Sequence, residues 1–309
     1  MATALFYHKQ FLEHETGLLH PENPERLQAI LHGLKPVWND LVHVTPEPAT
    51  EEQILLAHTR RHFEFIRECG MKAPVQIDMD TLVSKGSFGA AMLAAGAAVQ
   101  AVRGIMEGQY RNAFAAVRPP GHHATPDRAM GFCLFNNIAI AARYLIQEYG
   151  LQHVLIVDWD VHHGNGTQDI FYNDPFVIYL SLHKKHHYPG TGWEHEHGGP
   201  AAPNTKINYP MGAPFEPPHY LDTFHVALEE AAPFQPEFIL ISCGFDAHER
   251  DPLGNLGLTS ETYGTLTTIV KTFARKFGHE RIFSILEGGY DYQALAESAL
   301  IHAKMLLEE

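Results

Sequence analysis

Ile156-Val157-Asp158-Trp159-Asp160-Val161-His162-His163-Gly164-Asn165 ends an apolar, β-branched run with two carboxylates and an imidazole at alternating positions. Alternate residues of an extended strand face the same way. The pattern predicts that Asp158, Asp160 and His162 project together from the C-terminal edge of a buried parallel strand, where open α/β sheets place their ligand sites. Three hard or borderline donors converging there point to a metal. Taken alone, the triplet is equally consistent with a polar loop whose carboxylates cap the next helix.

Other segments favour the metal. His122-His123 follows the apolar run Ala113 to Val117 through Arg118-Pro119-Pro120-Gly121, and a Pro-Pro-Gly stop continues neither helix nor strand. Asp246 follows Phe238-Ile239-Leu240-Ile241-Ser242-Cys243-Gly244-Phe245, and Glu287-Gly288-Gly289-Tyr290 follows Arg281 to Leu286. Separate strands thus deliver polar residues to one rim.

Composition sets the frame. A chain of 309 residues, 45% hydrophobic and 19% charged, buries a large core, and no low-complexity stretch divides it, so one domain over 1–309 is expected. The N-terminal Met-Ala-Thr-Ala-Leu-Phe-Tyr-His lacks the apolar region of a signal peptide and no run is read as a membrane span, which leads to the expectation of a cytoplasmic protein. Cys69, Cys133 and Cys243 have no C-x-x-C spacing and read as free thiols, buried at least for Cys133 and Cys243. A formal charge of −14 argues against nucleic acid and favours a cationic substrate or basic peptide. Histidines number 22, as many as lysine and arginine together, which supplies ample ligands and bases.

Helical and strand patterns alternate, the mark of a parallel sheet covered on both faces. Helices are predicted near Pro24–Lys35, Thr50–His58, His62–Glu68, Ser87–Gly108, Asn136–Tyr149, Pro218–Ala231, Ser260–Phe277 and Tyr292–Leu307. Strands are predicted near Thr3–Tyr7, Ala113–Arg118, His153–Asp158, Val177–Ser181, Phe238–Ser242 and Arg281–Leu286.

The strand ends combine into a set. Arg118-Pro119-Pro120-Gly121-His122-His123, Gly131-Phe132-Cys133, Asp158-x-Asp160-Val161-His162-His163-Gly164-Asn165-Gly166, Ser181-Leu182-His183, Gly244-Phe245-Asp246 with Asp251-Pro252, and Glu287-Gly288-Gly289-Tyr290 follow His20-Pro21-Glu22-Asn23-Pro24-Glu25-Arg26-Leu27 in order. Together they resemble the zinc-dependent histone deacetylase family, in the class II branch that includes bacterial members. The resemblance implies the arginase/deacetylase fold, a three-layer α/β/α sandwich around an eight-stranded parallel sheet.

It also implies roles. Zinc would be held by Asp160, His162 and Asp246, a set that leaves positions open for water and substrate. His123, partnered by Asn165, would be general base and then acid, while His122, partnered by Asp158, would be mainly an electrostatic element. The Tyr290 hydroxyl would meet the oxyanion. A potassium ion would be bound by the carboxylate of Asp158, the hydroxyl of Ser181 and carbonyls at Asp158, Asp160, His162 and Leu182. Gly131, Phe132 and Gly288 would line a narrow tunnel, with Tyr188 where the family usually has phenylalanine, a departure that leaves acyl preference open. Leu253 stands where acetylpolyamine-specific relatives tend to carry an acidic residue, which favours protein or peptide acyl-lysine. Deacetylation of polyamines or other small amides is the alternative, and a silent acyl-lysine-binding scaffold the non-enzymatic one. A dinuclear manganese ureohydrolase is disfavoured because Gly164 stands where a further aspartate would extend the run. His183, His186, His187, His195 and His197 read as an exposed loop apart from the family's Ser-Leu-His, and this loop and the N-terminal region are candidate subunit contacts for a homo-oligomer.

Overall fold

The computed structural model describes residues 2–17, 19–212 and 216–308. Among them are ten strands: β1 Thr3–Phe6, β2 Leu41–Val44, β3 Val75–Gln76, β4 Leu82–Val83, β5 Asn112–Ala115, β6 Val154–Asp158, β7 Val177–Lys184, β8 Lys206–Met211, β9 Phe238–Cys243 and β10 Ile282–Leu286. The helices are α1 Glu25–Gly33, α2 Glu51–Ile54, α3 Arg60–Lys72, α4 Ser87–Met106, α5 Asn137–Tyr149, α6 Asn165–Phe171, α7 Pro217–Ala231, α8 Ser260–Lys276 and α9 Tyr292–Leu307. Eight strands form one sheet in the order β2-β1-β5-β10-β9-β6-β7-β8, and every pairing is parallel. β3 and β4 make a separate small hairpin.

The central strands β5, β10, β9 and β6 are buried at every position because helices cover both faces. On one face α4 packs against α5 and α3; on the other α9 packs against α1 and α8, and α8 against α7. The three-layer α/β/α expectation is therefore met.

The structure corrects three expectations. Strands β2 and β8 and helix α6 lie where the sequence pattern predicts no element. The helix read over Thr50–His58 stops at Ile54, whereas the one read from His62 begins at Arg60 and runs to Lys72. Finally, α4, with 20 residues and a mean hydropathy of 1.4, does have the length and composition of a membrane span. Its 78% burial in the fold, on a surface rich in alanine, makes it a core helix here.

Candidate active site

Strand β6 ends at Asp158, and the chain turns instead of staying extended. Asp158 Oδ1 accepts the Asp160 amide at 3.2 Å, and Asp160 Oδ1 accepts the His162 amide at 2.8 Å. The carboxylates thus tie down the following turn, and it is that turn, not strand alternation, that brings Asp160 and His162 to one spot. Asp246, beyond β9, arrives from the neighbouring strand. Its Oδ1 accepts the Val161 amide at 2.8 Å, and its Oδ2 lies 3.1 Å from His162 Nδ1. Asp160 Oδ1 lies 3.0 Å from that same nitrogen, and the Gly288 amide, beyond β10, donates to Asp160 Oδ2 at 2.8 Å.

Among the described residues Asp160, His162 and Asp246 form a metal-capable group, with ligand atoms within 4.8 Å of one another and all three side chains buried. Burial, and then the Asp160 charge, push the Asp246 carboxyl up to about 7. Burial opposes a charge on His162, but Asp160 and Asp246 outweigh it and hold the imidazole up at about 10. Two crowded, buried carboxylates, of which Asp160 raises Asp246 while, against burial, His122 and His162 hold Asp160 itself low, trap a proton on the imidazole between them and call for a cation. One nitrogen and two carboxylate oxygens suit a divalent ion with open positions. A second bridging carboxylate has no room at position 164, where a Cβ would stand 2.3 Å from Asp158 Oδ2 and 2.6 Å from the Tyr179 hydroxyl.

The tandem histidines have different partners. His122 Nδ1 lies 3.0 Å from Asp158 Oδ2, which also accepts the Tyr179 hydroxyl at 3.0 Å. His123 Nδ1 lies 2.8 Å from Asn165 Oδ1. An amide oxygen only accepts, so His123 carries its proton on Nδ1 and leaves Nε2 with a free lone pair. Burial works against a charged His122, but Asp158, Asp160 and Glu287 outweigh it and raise the imidazole to about 10. Burial, and then the charges of His122 and His162, hold His123 well below the usual histidine range. Side by side stand one proton-holding imidazole and one free base.

Glu287, singled out from the sequence without a role, braces the histidine turn by accepting the amides of Gly121 and His122 at 2.7 and 3.1 Å. Arg26 holds the opposite loop, donating to the carbonyls of Glu287 and Gly289 at 2.5 and 2.6 Å, with its guanidinium 4.9 Å from the Tyr290 ring centre. Glu22 anchors both Arg26 and Arg118 in a wholly buried cluster, and the Tyr290 amide is held by Asp251 Oδ2 at 2.7 Å. Burial keeps the Tyr290 hydroxyl protonated by pushing it well above its ordinary range.

These groups line a cavity of about 210 Å³ that reaches His122, His123 and His162 and is walled by Gly131, Phe132, His187, Tyr188, Leu253, Gly288 and Tyr290. Tyr188 meets His123 edge-on with ring centres 5.0 Å apart, and Phe132 meets Tyr290 edge-on at 6.0 Å. Gly131 has φ +56°, and a Cβ there would stand 2.5 Å from His123 Cδ2, so only glycine brings the backbone this close. Phe132 itself has φ +68°, a strained conformation for a residue with a side chain, held at the cavity wall.

Two wall residues escape a reading of the sequence. His187 does not belong to an exposed loop: its ring stacks on that of His162, with centres 4.9 Å apart. Asp80, from the β3–β4 turn, reaches the cavity through an element with no strong sequence signal. His186, His195 and His197 are exposed as expected, and His183 is buried, its Nε2 donating to the Gly192 carbonyl and its Nδ1 accepting the Ser181 hydroxyl. The register Asp158↔Ser181 sets the end of β6 beside Ser181 and Leu182 within β7, with Asp160 and His162 on the turn that follows β6.

Residues 20–306 match the Histone deacetylase domain family. The chain belongs to the histone deacetylase family. Family members resembling it include a "Probable deacetylase" of Archaeoglobus fulgidus, 36% identical over 95% of this chain and 82% of that protein. "Histone deacetylase HDA1" of Saccharomyces cerevisiae is 34% identical over 94% of this chain, and "Histone deacetylase 15" of Arabidopsis thaliana 38% identical over 94%. The chain spans only 45% and 53% of those two proteins, about half their length. The solved structure of the HDA15 HD domain superposes with a TM-score of 0.94 at 37% identity, covering 99% of this chain and 89% of that one. Membership carries the arginase/deacetylase-like fold and, in general terms, hydrolytic deacetylase chemistry.

Proposed function

We propose that the chain is a single zinc-dependent deacetylase domain that removes acyl groups, acetyl first among them, from the lysine side-chain amine of proteins or peptides. The observation that carries this reading is the narrow cavity itself, which ends at a metal-capable triad and a free imidazole nitrogen and is flanked by aromatic rings suited to an aliphatic stem. Zinc at Asp160, His162 and Asp246 would act as the Lewis acid on the acyl carbonyl and lower the pKa of water.

The chain's own residues do the rest. His123 Nε2 takes the proton from the attacking water and passes it to the departing amine. His122, kept protonated by Asp158, contributes positive charge beside the developing oxyanion, to which the Tyr290 hydroxyl donates. The Gly131 carbonyl accepts the substrate amide N–H, and Phe132 and Tyr188 flank the stem. Leu253 at the wall leaves space for a polypeptide backbone. Potassium between the end of β6 and Ser181 and Leu182 of β7 would brace the turn that carries Asp160 and His162. The three cysteines are free and buried, in keeping with a cytoplasmic protein.

Asp80 at the cavity wall favours a second reading, since a carboxylate there also suits the distal ammonium of an acetylated polyamine. The test is turnover of acetyl-lysine peptides by zinc-loaded protein beside acetylputrescine and acetylspermidine, each repeated with a chelator. Chelator-sensitive peptide turnover is expected to dominate. Preference for the acetylpolyamines overturns the peptide reading.

A further inference from the structure

We propose that a groove beside the tunnel mouth is a polypeptide subsite, which seats an apolar side chain of the substrate next to the acyl-lysine. This rests on the acyl-lysine reading above and adds to it a place for the rest of the chain. The tunnel admits one side chain only, so the backbone that carries it must lie on the surface outside. A groove of about 480 Å³, lined by Arg61, Phe65, Ile77, Asp78, Asp127 and Arg128, opens beside that mouth.

Tunnel and groove share their dividing wall. Asp80 faces the tunnel and Asp78 the groove, and the turn between them is fixed by Asp78 Oδ1, which accepts the amides of Asp80 and Thr81 at 3.1 and 2.8 Å. On the facing loop Ala129 lines the groove and Gly131 the tunnel, two residues apart. The Thr81 hydroxyl accepts the Phe132 amide at 3.2 Å and joins the two halves of the wall. A backbone running from the tunnel mouth over this wall enters the groove within a residue or two, given about 3.3 Å per extended residue.

The surface chemistry fits a polypeptide. Phe65 is 46% exposed in a helix whose other aromatic, Phe63, is buried, and it stands beside Ile77 as an apolar floor. Met79, at the tip of the dividing turn, is wholly exposed. So is Leu19, on a loop fastened to the same turn by His20 Nε2 and the Asp80 carbonyl at 3.0 Å. Large apolar side chains gathered round a ligand site and left in water mark a surface that is covered in use. Around the floor, two aspartates offer acceptors and two arginines, without ion-pair partners among the described residues, offer donors, a mixture that suits the alternating N–H and C=O groups of an extended backbone. A small amine has nothing to reach this groove with.

The experiment compares kcat/KM for Nε-acetyl-lysine amide, acetylputrescine and two heptapeptides with acetyl-lysine flanked by phenylalanine and leucine or by glycine, using zinc-loaded wild type and Phe65→Ser. Met71→Ser, an exposed apolar position on the same helix outside the groove, is the control. The wild type is expected to favour the apolar heptapeptide over the glycine one by about tenfold, mainly through KM, and Phe65→Ser to erase that ratio while Met71→Ser keeps it. Equal treatment of the two heptapeptides by the wild type, or a ratio unmoved by Phe65→Ser, overturns the subsite and leaves the acyl-lysine reading standing if the amide is still turned over. Turnover of acetylputrescine alone overturns both. Sedimentation of each variant covers the remaining occupant: a dimer lost in Phe65→Ser with the ratio unchanged assigns the face to a second copy of the chain and overturns the subsite.

Discussion

Replacing Asn165 by aspartate tests whether a neutral partner is what keeps His123 a free base. The amide oxygen lies 2.8 Å from His123 Nδ1, and aspartate keeps that geometry while adding a full negative charge. Unit charges about 4 Å apart interact by about 4 kcal/mol at an effective dielectric of about 20, and about 1.4 kcal/mol moves a pKa by one, so the ceiling is a rise of about three. Asn165 is buried, so desolvation of the new carboxylate removes part of this, as does loss of the amide contact to Met130 Sδ. The His123 pKa is therefore expected to rise by about one to three. The sign follows from the role: a base works unprotonated, so raising its pKa moves the ascending limb of kcat/KM against pH to higher pH. On the acid side of the new limb, activity falls about tenfold for every pH unit by which the limb has moved. The profile is measured from about pH 5 to about pH 9, a range that brackets an ordinary imidazole, with an acetyl-lysine peptide, and bound zinc is quantified in parallel. A variant that keeps its zinc and its activity with the limb where the wild type has it refutes the assignment of His123 as the base.

Tyr290→Phe should lower kcat by roughly 10²–10³-fold with metal content unchanged, measured by turnover and elemental analysis; near-normal kcat removes the hydroxyl from the oxyanion role. Gly131→Ala forces a side chain onto a left-handed backbone at a cost of roughly 1–2 kcal/mol, and the new Cβ, 2.5 Å from His123 Cδ2, should displace the imidazole, so both the urea midpoint and kcat are expected to fall. Glu22→Gln leaves Arg26 and Arg118 buried without their counter-charge and should cost about 3–5 kcal/mol in urea unfolding. Burial opposes the Glu22 charge, but Arg118 and His14 hold its pKa well below the ordinary value. Its contribution is therefore complete above the unfolded carboxyl's range near 4.5 and is lost as pH falls through the lower folded value, so the gap between wild type and variant should narrow on acidification.

What the sequence made legible divides along physical lines. Long apolar runs buried on both faces are unmistakable, so β5, β6, β9 and β10 and the polar residues at their ends were readable. Edge strands are not: β2 is Leu-Val-His-Val with its middle exposed, and β8 carries Lys206, Asn208 and Pro210 among its apolar residues. Gly164-Asn165-Gly166 likewise has the composition of a loop, although it opens α6. The histidine partners Asp158 and Asn165 came from the resemblance to a family, and the hydrogen bonds now seen agree with them. Tyr179 was open to discovery by its alternation with Ser181 and His183 on β7. Asp80 and His187 were not, because only tertiary folding carries the β3–β4 turn and the loop after β7 to the cavity.

The strand order has a consequence for how the protein is made. β10, residues 282–286, is inserted between β5 and β9 in the middle of the sheet. Until that segment has left the ribosome, β2-β1-β5 and β9-β6-β7-β8 are two half-sheets, each with an open edge where β10 will sit. The nascent chain must therefore carry exposed, aggregation-prone edges through most of its synthesis. A stop codon anywhere before residue 282 removes the seam of the whole sheet as well as Tyr290, and the fragment is then a substrate for quality control rather than a weakened enzyme.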